Sequence, residues 1–476
     1  MKRFVQGLNR TQSTLLPELL DEYIAAENPV RVIDVFVDQL DLAHLGFAGI
    51  DPAQTGRPSY HPSVMLKIYI YGYLNRIQSS RRLEAEANRN VELMWLVARL
   101  NPDFKTIARF RKDNGSAIRK VCSQFVELCR RMHLFADSMV AIDGSKFKAV
   151  NNCDKNYTQA KIKTRMQAVE KNIQQYLDDL EAADISSPKQ STPHQVRLTE
   201  RIVMFQAQMK ALETIETELH ATPDKQLSQT DPDARSMQHR GGGIVGYNVQ
   251  AAVDTKHHLI VAHEVTTAGH DRTQLANMGK QAKDALDKKA LTVVADKGYY
   301  KGEEVAACVA NGITPIMPKC LTSGNKANGL FDKRHFVYDA NSNTYQCPAG
   351  DVLIERFRTL EKGKNLIAYW SSNCKKCALK SSCTTSGQRR IKRWENEAVL
   401  DQMQSNLENM PDAMKIRRCT IEHTFGTLKH WMGASHFLMK TKAHVSTEMS
   451  LHVLAYNMKR VMRIMGSVAL IEVMAT

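Results

Sequence analysis

Three acidic residues far apart along the chain stand in settings that suit divalent-metal chemistry: Asp143, Asp296 and Glu422. The two aspartates follow short apolar runs rich in β-branched residues, 140–142 and 291–295, which predict buried strands. Glu422 lies in a helical pattern. Hard ions such as Mg²⁺ or Mn²⁺ prefer carboxylate oxygens, and two such ions can hold the attacking and leaving oxygens of an in-line displacement. The three carboxylates therefore predict a two-metal phosphoryl-transfer site.

The helix around Glu422 has a charged side next to an apolar one. On an ideal helix Arg418, Glu422 and Lys429 fall within about 40° of one another. A separate apolar stripe runs alongside and consists of Ile421, Phe425, Leu428 and Met432. One face is therefore expected to pack on a core while the next presents a carboxylate between two cations. A helix with a purely structural role would often carry the same residues on a solvated face. The catalytic interpretation of Glu422 therefore depends on the two aspartates.

These residues belong to an ordered set of motifs that covers nearly the whole chain. The set consists of Ile142-Asp143-Gly-Ser-Lys146, Thr230-Asp-Pro-Asp233-Ala-Arg-Ser-Met237, Gly246-Tyr-Asn-Val-Gln250 with Asp254, Ala295-Asp296-Lys-Gly-Tyr299, and Arg418-x3-Glu422-x6-Lys429. In this order and spacing the set resembles the DDE transposases of bacterial insertion sequences, most closely the insertion-sequence 1182 family within the insertion-sequence 4/5-like group. One position departs from the related pattern, because Lys415 stands where that pattern has a tyrosine.

The resemblance implies an enzyme that cleaves DNA strands and transfers them to a target, with Mg²⁺ or Mn²⁺ held by the three carboxylates. It implies that Arg418 and Lys429 hold phosphates near the cleaved end. Lys146 follows Asp143 after Gly144 and Ser145, and Lys297 directly follows Asp296. Both lysines are expected to do the same, although a lysine at a strand end needs no such role. Two alternatives stay open: a domesticated DNA-binding protein without catalysis, and a nuclease of the same fold that cuts but does not join strands.

The composition agrees with a nucleic-acid partner. The 476 residues carry a formal net charge of +15, and a strongly basic chain favours a polyanion such as DNA. The expected partners are the terminal inverted repeats of the element and the target DNA, and two element ends favour at least a homodimer. No apolar run of about 18 residues predicts a membrane span, and the start lacks a signal-peptide pattern. We therefore expect a cytoplasmic protein, associated with the nucleoid when it is bound to DNA.

The chain divides into a helical part and an α/β part. Residues 1–135 predict an all-helical DNA-binding domain, in which Arg109 and Arg111 lie on or near one side of a basic helix. A helical packing domain with solvated arginines is the alternative. Residues 136–476 predict the catalytic domain, a ribonuclease-H-like core of mixed sheet and helices. Its predicted order is three strands, helix, strand, helix, strand, which would place the two aspartate-bearing strands side by side.

Two insertions interrupt this core. In residues 158–221 apolar residues recur every three or four positions, which predicts an antiparallel helical hairpin; it is either a spacer or an arm for dimerisation or DNA. Residues 318–400 are Cys-rich, and their candidate ligands for a structural Zn²⁺ are Cys347, Cys374, Cys377 and Cys383. Free thiols or redox pairs are the alternative. The basic residues around these cysteines could bind phosphates, and Trp370 and Trp394 could stack on an unpaired base.

Overall fold

The computed structural model describes residues 19–51, 58–136, 138–186, 193–239, 242–320, 324–325 and 327–475. The first part of the expected N-terminal domain, residues 1–18, lies outside the described residues. So does most of the loop expected between the two helices of the first insertion, residues 187–192.

The N-terminal region is helical, which confirms the prediction. Its helices are α1 (Pro29–Asp38), α2 (Leu42–Leu45), α3 (Pro62–Leu74), α4 (Ser80–Ala87), α5 (Val91–Leu96), α6 (Phe104–Asp113) and α7 (Gly115–Arg131). Side-chain caps begin several of them: Asn28 accepts a hydrogen bond from the Val30 amide before α1, and Asp103 accepts from the Lys105 and Thr106 amides before α6. Helix α3 is apolar on all sides because it lies inside this group of helices.

A mixed sheet follows, which confirms the predicted α/β class. The elements in chain order are β1 (Met139–Lys148), β2 (Asn156–Thr158), α8 (Gln159–Ser186), α9 (Pro193–Ala221), β3 (Gln226–Ser228), β4 (Arg235–His239), β5 (Gly242–Asp254), β6 (Ile260–Thr266), α10 (Leu275–Leu286), β7 (Leu291–Val294), α11 (Gly302–Ala310) and β8 (Ile313–Ile316). Strand β5 pairs with β1 on one edge and with β4 and β6 on the other, all antiparallel. Strands β1, β7 and β8 run parallel.

The register of the parallel strands brings the two aspartates to one edge of the sheet. Strand β1 pairs with β7 up to Ala141 and Val294. Asp143 and Asp296 each lie two residues beyond that last pair. Asp143 lies inside β1 and Asp296 just after β7. Because both are equally far beyond the last parallel pair, residues 153 positions apart (296 − 143) become neighbours.

The first insertion is a helical hairpin closed at its base. Helices α8 and α9 pack against each other around a small apolar cluster that includes Ile162, Val169 and Leu212. At the base, β2 and β3 pair antiparallel, with Thr158 opposite Gln226. The hairpin has a core separate from the main one.

The second insertion contains an antiparallel sheet that the sequence analysis did not predict. Its elements are β9 (Val337–Asp339), β10 (Thr344–Gln346), β11 (Val352–Glu361), β12 (Lys364–Trp370), α12 (Lys380–Cys383) and β13 (Ile391–Trp394). The strands are ordered β13-β12-β11-β10-β9. A cluster of their own, including Phe336, Tyr345 and Tyr369, lies beneath them.

The C-terminal helices return to the N-terminal region. They are α13 (Glu397–Glu408), α14 (Ala413–Gly426), α15 (Lys442–Met465) and α16 (Ser467–Ala475). Helix α15 packs on α3, α7 and β6, and α16 packs on α1. One continuous cluster of buried apolar residues therefore reaches from Ile24 to Met474. Among the described residues, no helix is both long and apolar enough to cross a membrane.

The start of α15 is fixed by the acidic motif near residue 231. The buried Asp231 carboxylate accepts hydrogen bonds from the Tyr247 hydroxyl at 2.9 Å and from the Thr441 amide at 3.0 Å. Asp233 accepts from the Lys442 amide at 2.7 Å. These carboxylates satisfy amides at the beginning of the helix, where the helix itself supplies no acceptor.

Several polar side chains are buried together where α15 meets the N-terminal helices. Arg111 of α6 donates to the Tyr73 hydroxyl at 2.8 Å, and the ring of His452 lies 4.6 Å from the ring of Tyr73. The buried Glu448 accepts hydrogen bonds from the backbone amides of residues 438 and 439. Arg111 is only 7% exposed. The prediction that Arg111 contacts DNA is therefore wrong, because its guanidinium is used inside the protein.

Candidate active site

Asp143 and Asp296 converge on one cation, the guanidinium of Arg417 in α14. Arg417 Nη2 donates to Asp143 Oδ2 at 2.6 Å and lies 3.9 Å from Asp296 Oδ2. Asp296 also accepts a hydrogen bond from the Gly298 amide at 2.6 Å, at the start of the 3₁₀ turn that follows it. The two carboxylates therefore share a position that favours positive charge. Arg417 was not among the residues predicted from the sequence.

The environment of Asp143 disfavours a bare negative charge. Burial raises the pKa of Asp143 to about 6, although Arg417 and the Gly144 amide act in the opposite direction. The neighbouring carboxylates Asp296 and Asp271 raise that pKa further. An added cation would favour the ionised carboxylate, since opposite charge stabilises the charged form. The carboxylates at this site therefore carry more negative charge than Arg417 alone neutralises.

A polar network lies directly behind Asp143. Asp271 Oδ1 accepts hydrogen bonds from Asn248 Nδ2 at 2.8 Å and from Gln250 Nε2 at 2.7 Å. Gln250 Oε1 accepts in turn from the buried Tyr299 hydroxyl. The network reaches the backbone at Gly144, where a Cβ atom would collide with Gln250 and Asp271. Glycine inside a strand often marks such a close approach, and this signal in the sequence could have indicated the network.

Glu422 and Arg418 lie on the same helix as Arg417 but on its exposed side. Among the described residues, neither side chain forms a hydrogen bond or an ion pair, and both side chains are exposed. The structure brings Asp143 and Asp296 together and leaves Glu422 facing solvent. In the described part of the chain, no three His, Cys, Asp or Glu side chains are arranged to hold a metal ion as they stand.

Lys429 joins the end of this helix to strand β1. Its ammonium donates to Ser145 Oγ at 2.7 Å and to the Lys146 carbonyl at 2.9 Å, and it lies 4.5 Å from the centre of the Phe147 ring. Burial lowers the pKa of Lys429, and Lys146 lowers it further. Lys429 belongs to a π-helical turn, Thr427–Trp431, that continues α14. Lys429 and Lys146 thus place two positive charges along β1 beyond Asp143.

The other residues predicted to contact phosphates lie in different parts of the structure. Lys297 is exposed directly after Asp296, and Lys146 is half-buried. Arg109 is exposed on α6, in contrast to its neighbour Arg111. Lys297 and Lys146 therefore flank the aspartates in sequence, whereas Arg109 belongs to the N-terminal helices.

The residues around Asp143 fit hard divalent ions. Carboxylate oxygens are the ligands that Mg²⁺ and Mn²⁺ prefer, and two of them already point to one cationic group 2.6 Å and 3.9 Å away. A third carboxylate, that of Asp271, lies beside the Gly144 backbone. The donor set is compatible with the metal chemistry expected from the sequence.

The four predicted zinc ligands line one cavity of about 430 Å³ in the second insertion. The backbone carbonyl of Cys347 accepts from the Gly350 amide in a tight turn, and the backbone carbonyl of Cys374 accepts from the Cys377 amide. Burial raises the pKa of the Cys383 thiol, and the other three cysteines raise it further. Thiolates are the usual ligands of a tetrahedral structural zinc ion, but among the described residues no three of these thiols are arranged to hold a metal ion as they stand.

The two tryptophans of this insertion are not free surfaces. Trp394 is 9% exposed and packs in the main core. The guanidinium of Arg390 lies 5.0 Å from the Trp370 ring centre, and that of Arg356 lies 6.0 Å away. The expectation that Trp394 stacks on an unpaired base is therefore wrong, because this ring is buried.

Comparison with known proteins gives two family matches. A family described as a transposase domain matches residues 18–113, and one described as a transposase DDE domain matches residues 216–458, slightly more than half of the chain. One solved structure, the cryo-EM structure of the piggyBac transposase synaptic complex with hairpin DNA, is 9% identical and covers 94% of this chain and 79% of its own, with a TM-score of 0.32. A likeness this weak carries no argument. No curated protein matches the chain.

Proposed function

The chain belongs to the DDE transposases, and from this premise we propose that it cleaves DNA at the ends of an insertion sequence and transfers the cut strands with divalent metal ions. The observation that carries the proposal is the convergence of Asp143 and Asp296 on one cationic position, two residues beyond the last parallel pair of strands β1 and β7.

We further propose a ribonuclease-H-like core for the catalytic part, residues 136–476. The support is the strand order β6-β5-β1-β7-β8, with the first three strands antiparallel and the last three parallel. The motif set supports placement in the insertion-sequence 1182 family. The N-terminal helices, residues 1–135, would recognise the element ends with Arg109, and the protein would act as a dimer or larger assembly.

In this proposal Asp143, Asp296 and Glu422 hold the metal ions, which supply charge neutralisation and nucleophile activation when bound. Arg417 occupies the shared position between the aspartates with its own positive charge and would withdraw from it in the active state. Asp271 acts as a positioning residue, because it orients Gln250 and so the wall behind Asp143. No residue is required to form a covalent bond with DNA.

The cations of the site would bind the phosphate backbone. Lys429 is held against β1 and presents a partly desolvated ammonium beside Lys146. Arg418 and Lys297 are exposed and able to reach a phosphate without losing an internal partner. Fixed cations near the cut would stabilise the charge that develops during phosphoryl transfer.

We also propose that the four cysteines hold one structural zinc ion. Its effect would be confined to the second insertion, because the four side chains line a cavity within that unit. A structural zinc ion contributes directly to the folding free energy of a small unit.

The test of the proposed activity is cleavage and joining of DNA that carries the ends of the element, with Mg²⁺ or Mn²⁺. Asp143→Asn, Asp296→Asn and Glu422→Gln should each abolish cleavage and leave binding of the ends in place. Asp284→Asn, an exposed aspartate on α10, serves as the matched control and should cleave normally.

Two outcomes would change the proposal. Full cleavage by Glu422→Gln together with loss in Asp271→Asn would assign the third carboxylate to Asp271. Cleavage without any joined product, under conditions that supply target DNA, would show a nuclease in place of a strand-transfer enzyme.

A further inference from the structure

A second cavity, of about 430 Å³, opens on the flank of α14 and outside the carboxylate site. Three segments build it: the end of α3, the π-helical turn with the last part of α14, and the second half of α15. Its lining residues are Arg76, His423, Thr427, Trp431, Met432, Tyr456, Lys459, Arg460 and Arg463. The cavity thus lies where the N-terminal helices meet the helix that carries Glu422.

The charges at this cavity all have one sign. Arg76, Lys459 and Arg463 are exposed, and Arg460 is half-buried, where its Nε donates to the His257 carbonyl. Within the described part of the chain, none of the four forms an ion pair, and no carboxylate lines the cavity. A cluster of four cations repels itself unless negative charge lies nearby. Because no Asp or Glu of this cavity supplies that charge, the cluster fits a polyanionic ligand.

Trp431 provides an aromatic surface at the same place. Its side chain is 69% exposed, the most exposed tryptophan in the described residues. The other three are engaged: Trp95 donates to Asp21, Trp370 is covered by arginines, and Trp394 is buried. An exposed indole among unpaired cations is the combination with which proteins hold single-stranded nucleic acid, by stacking on the base and neutralising the backbone.

The cavity and the predicted catalytic face lie on different sides of α14. At about 100° per residue, His423 and Thr427 point roughly 100° to 140° away from Glu422 around the helix axis. Helix α14 with its side chains is only about 10 Å wide. A DNA strand that crosses the exposed side of this helix would therefore reach both flanks.

We propose that this cavity binds an unpaired nucleotide of the DNA strand that crosses α14. Trp431 stacks on the base, and Arg76, Arg460 and Arg463 neutralise the adjoining phosphates. The inference rests on the proposed function, because it takes the strand beside the cut as its ligand. It adds a nucleotide site to the carboxylate centre.

The test is binding of a fluorescently labelled 12-nucleotide thymidine strand and of a duplex of the same length to the intact chain, by anisotropy, with EDTA present. Trp431→Ala should weaken single-strand binding about 10-fold, the effect of losing one stacked base. It should leave duplex binding unchanged, since duplex bases are already stacked. Trp431→Phe should retain most of the single-strand affinity.

The cations give an independent measurement. Arg463→Ala should lower the log–log salt slope of single-strand binding by roughly 0.7, the value of one phosphate contact. Arg131→Ala, another exposed arginine at the end of a helix, is the matched control and should keep the slope. Leu438→Ala is the matched control for loss of an exposed apolar side chain, because Leu438 is 40% exposed.

Each outcome decides for or against the nucleotide site. If Trp431→Ala binds the single strand with wild-type affinity, the nucleotide site is overturned. It is also overturned if Trp431→Ala loses self-association in sedimentation but keeps its DNA affinity. That second result would make the cavity a contact between copies. Failure of the proposed function would appear separately, as absence of metal-dependent cleavage by the wild-type chain, because the binding assay contains no free divalent metal.

Discussion

The buried His452 is expected to make the stability of the protein sensitive to mild acid. Its side chain is 1% exposed, and among the described residues neither ring nitrogen has a hydrogen-bond partner. Burial lowers the pKa of His452 from 6.5 to about 3, and Arg111 lowers it further. Between these values the unfolded chain binds a proton that the folded chain does not. The stabilising contribution is therefore complete above pH 6.5 and is lost as the pH falls below it.

The size of the effect follows from the two pKa values. At pH 5 the unfolded imidazole is almost fully protonated and the folded one almost fully neutral, which corresponds to about 2 kcal/mol of lost stability relative to pH 8. The perturbation is His452→Gln, which removes the titrating group from α15. The variant should lose about 2 kcal/mol less than the wild type between pH 8 and pH 5.

The assay is urea unfolding of both proteins at the two pH values, followed by circular dichroism. Glu448, whose pKa is raised by burial, acts in the opposite direction but is present in both proteins, so its effect largely cancels. His220→Gln is the matched control, because His220 is exposed on α9; it should behave like the wild type. Equal pH dependence of the wild type and His452→Gln would refute the reasoning, since it would show that the folded imidazole accepts a proton as readily as the unfolded one.

Three further predictions concern other parts of the molecule. Metal analysis should find about one zinc ion per chain, and Cys374→Ser should reduce both zinc content and melting temperature; a zinc-free preparation of unchanged stability would contradict the site. Arg109→Ala should lower the salt slope of duplex binding by roughly 0.9, whereas Arg111→Ala should cost about 2 kcal/mol in unfolding free energy; an unchanged slope would place end recognition elsewhere. Gly144→Ala should destabilise the fold by about 1–3 kcal/mol and reduce cleavage more than DNA binding, whereas Gly387→Ala, which has open space around it, should do neither.

The strands that carry the aspartates could be predicted because burial on both faces demands continuous apolar, β-branched runs. The boundaries of α11 were also predictable, since its apolar residues recur with helical spacing. The short strand β4 and the sheet of the second insertion were missed. Most of those strands have one face exposed, so their mixed polar and apolar residues resemble a loop.

The side-chain contacts of the site were less accessible to sequence reasoning. Arg417 meets Asp143 across 274 residues (417 − 143), and no local pattern reports a contact of that kind. Asp271 precedes α10, which begins at Leu275, and lies in a turn facing the sheet; no pattern in the sequence shows that its carboxylate meets Asn248 and Gln250. The burial of Arg111 was detectable, because it lies four residues after the apolar Ile107 and so on the same helix face.

The packing of α15 and α16 on the N-terminal helices has a consequence for protein synthesis. Lys442, the first residue of α15, follows the last residue of α7, Arg131, by 311 positions (442 − 131). At roughly 5–20 residues per second, the ribosome needs about 15–60 s to cover that distance. During this time the N-terminal helices have left the ribosome without the helix that packs on α3 and α7 and covers Tyr73. A nascent chain of this protein therefore exposes an apolar surface for many seconds, and its dependence on chaperones should be concentrated in that interval.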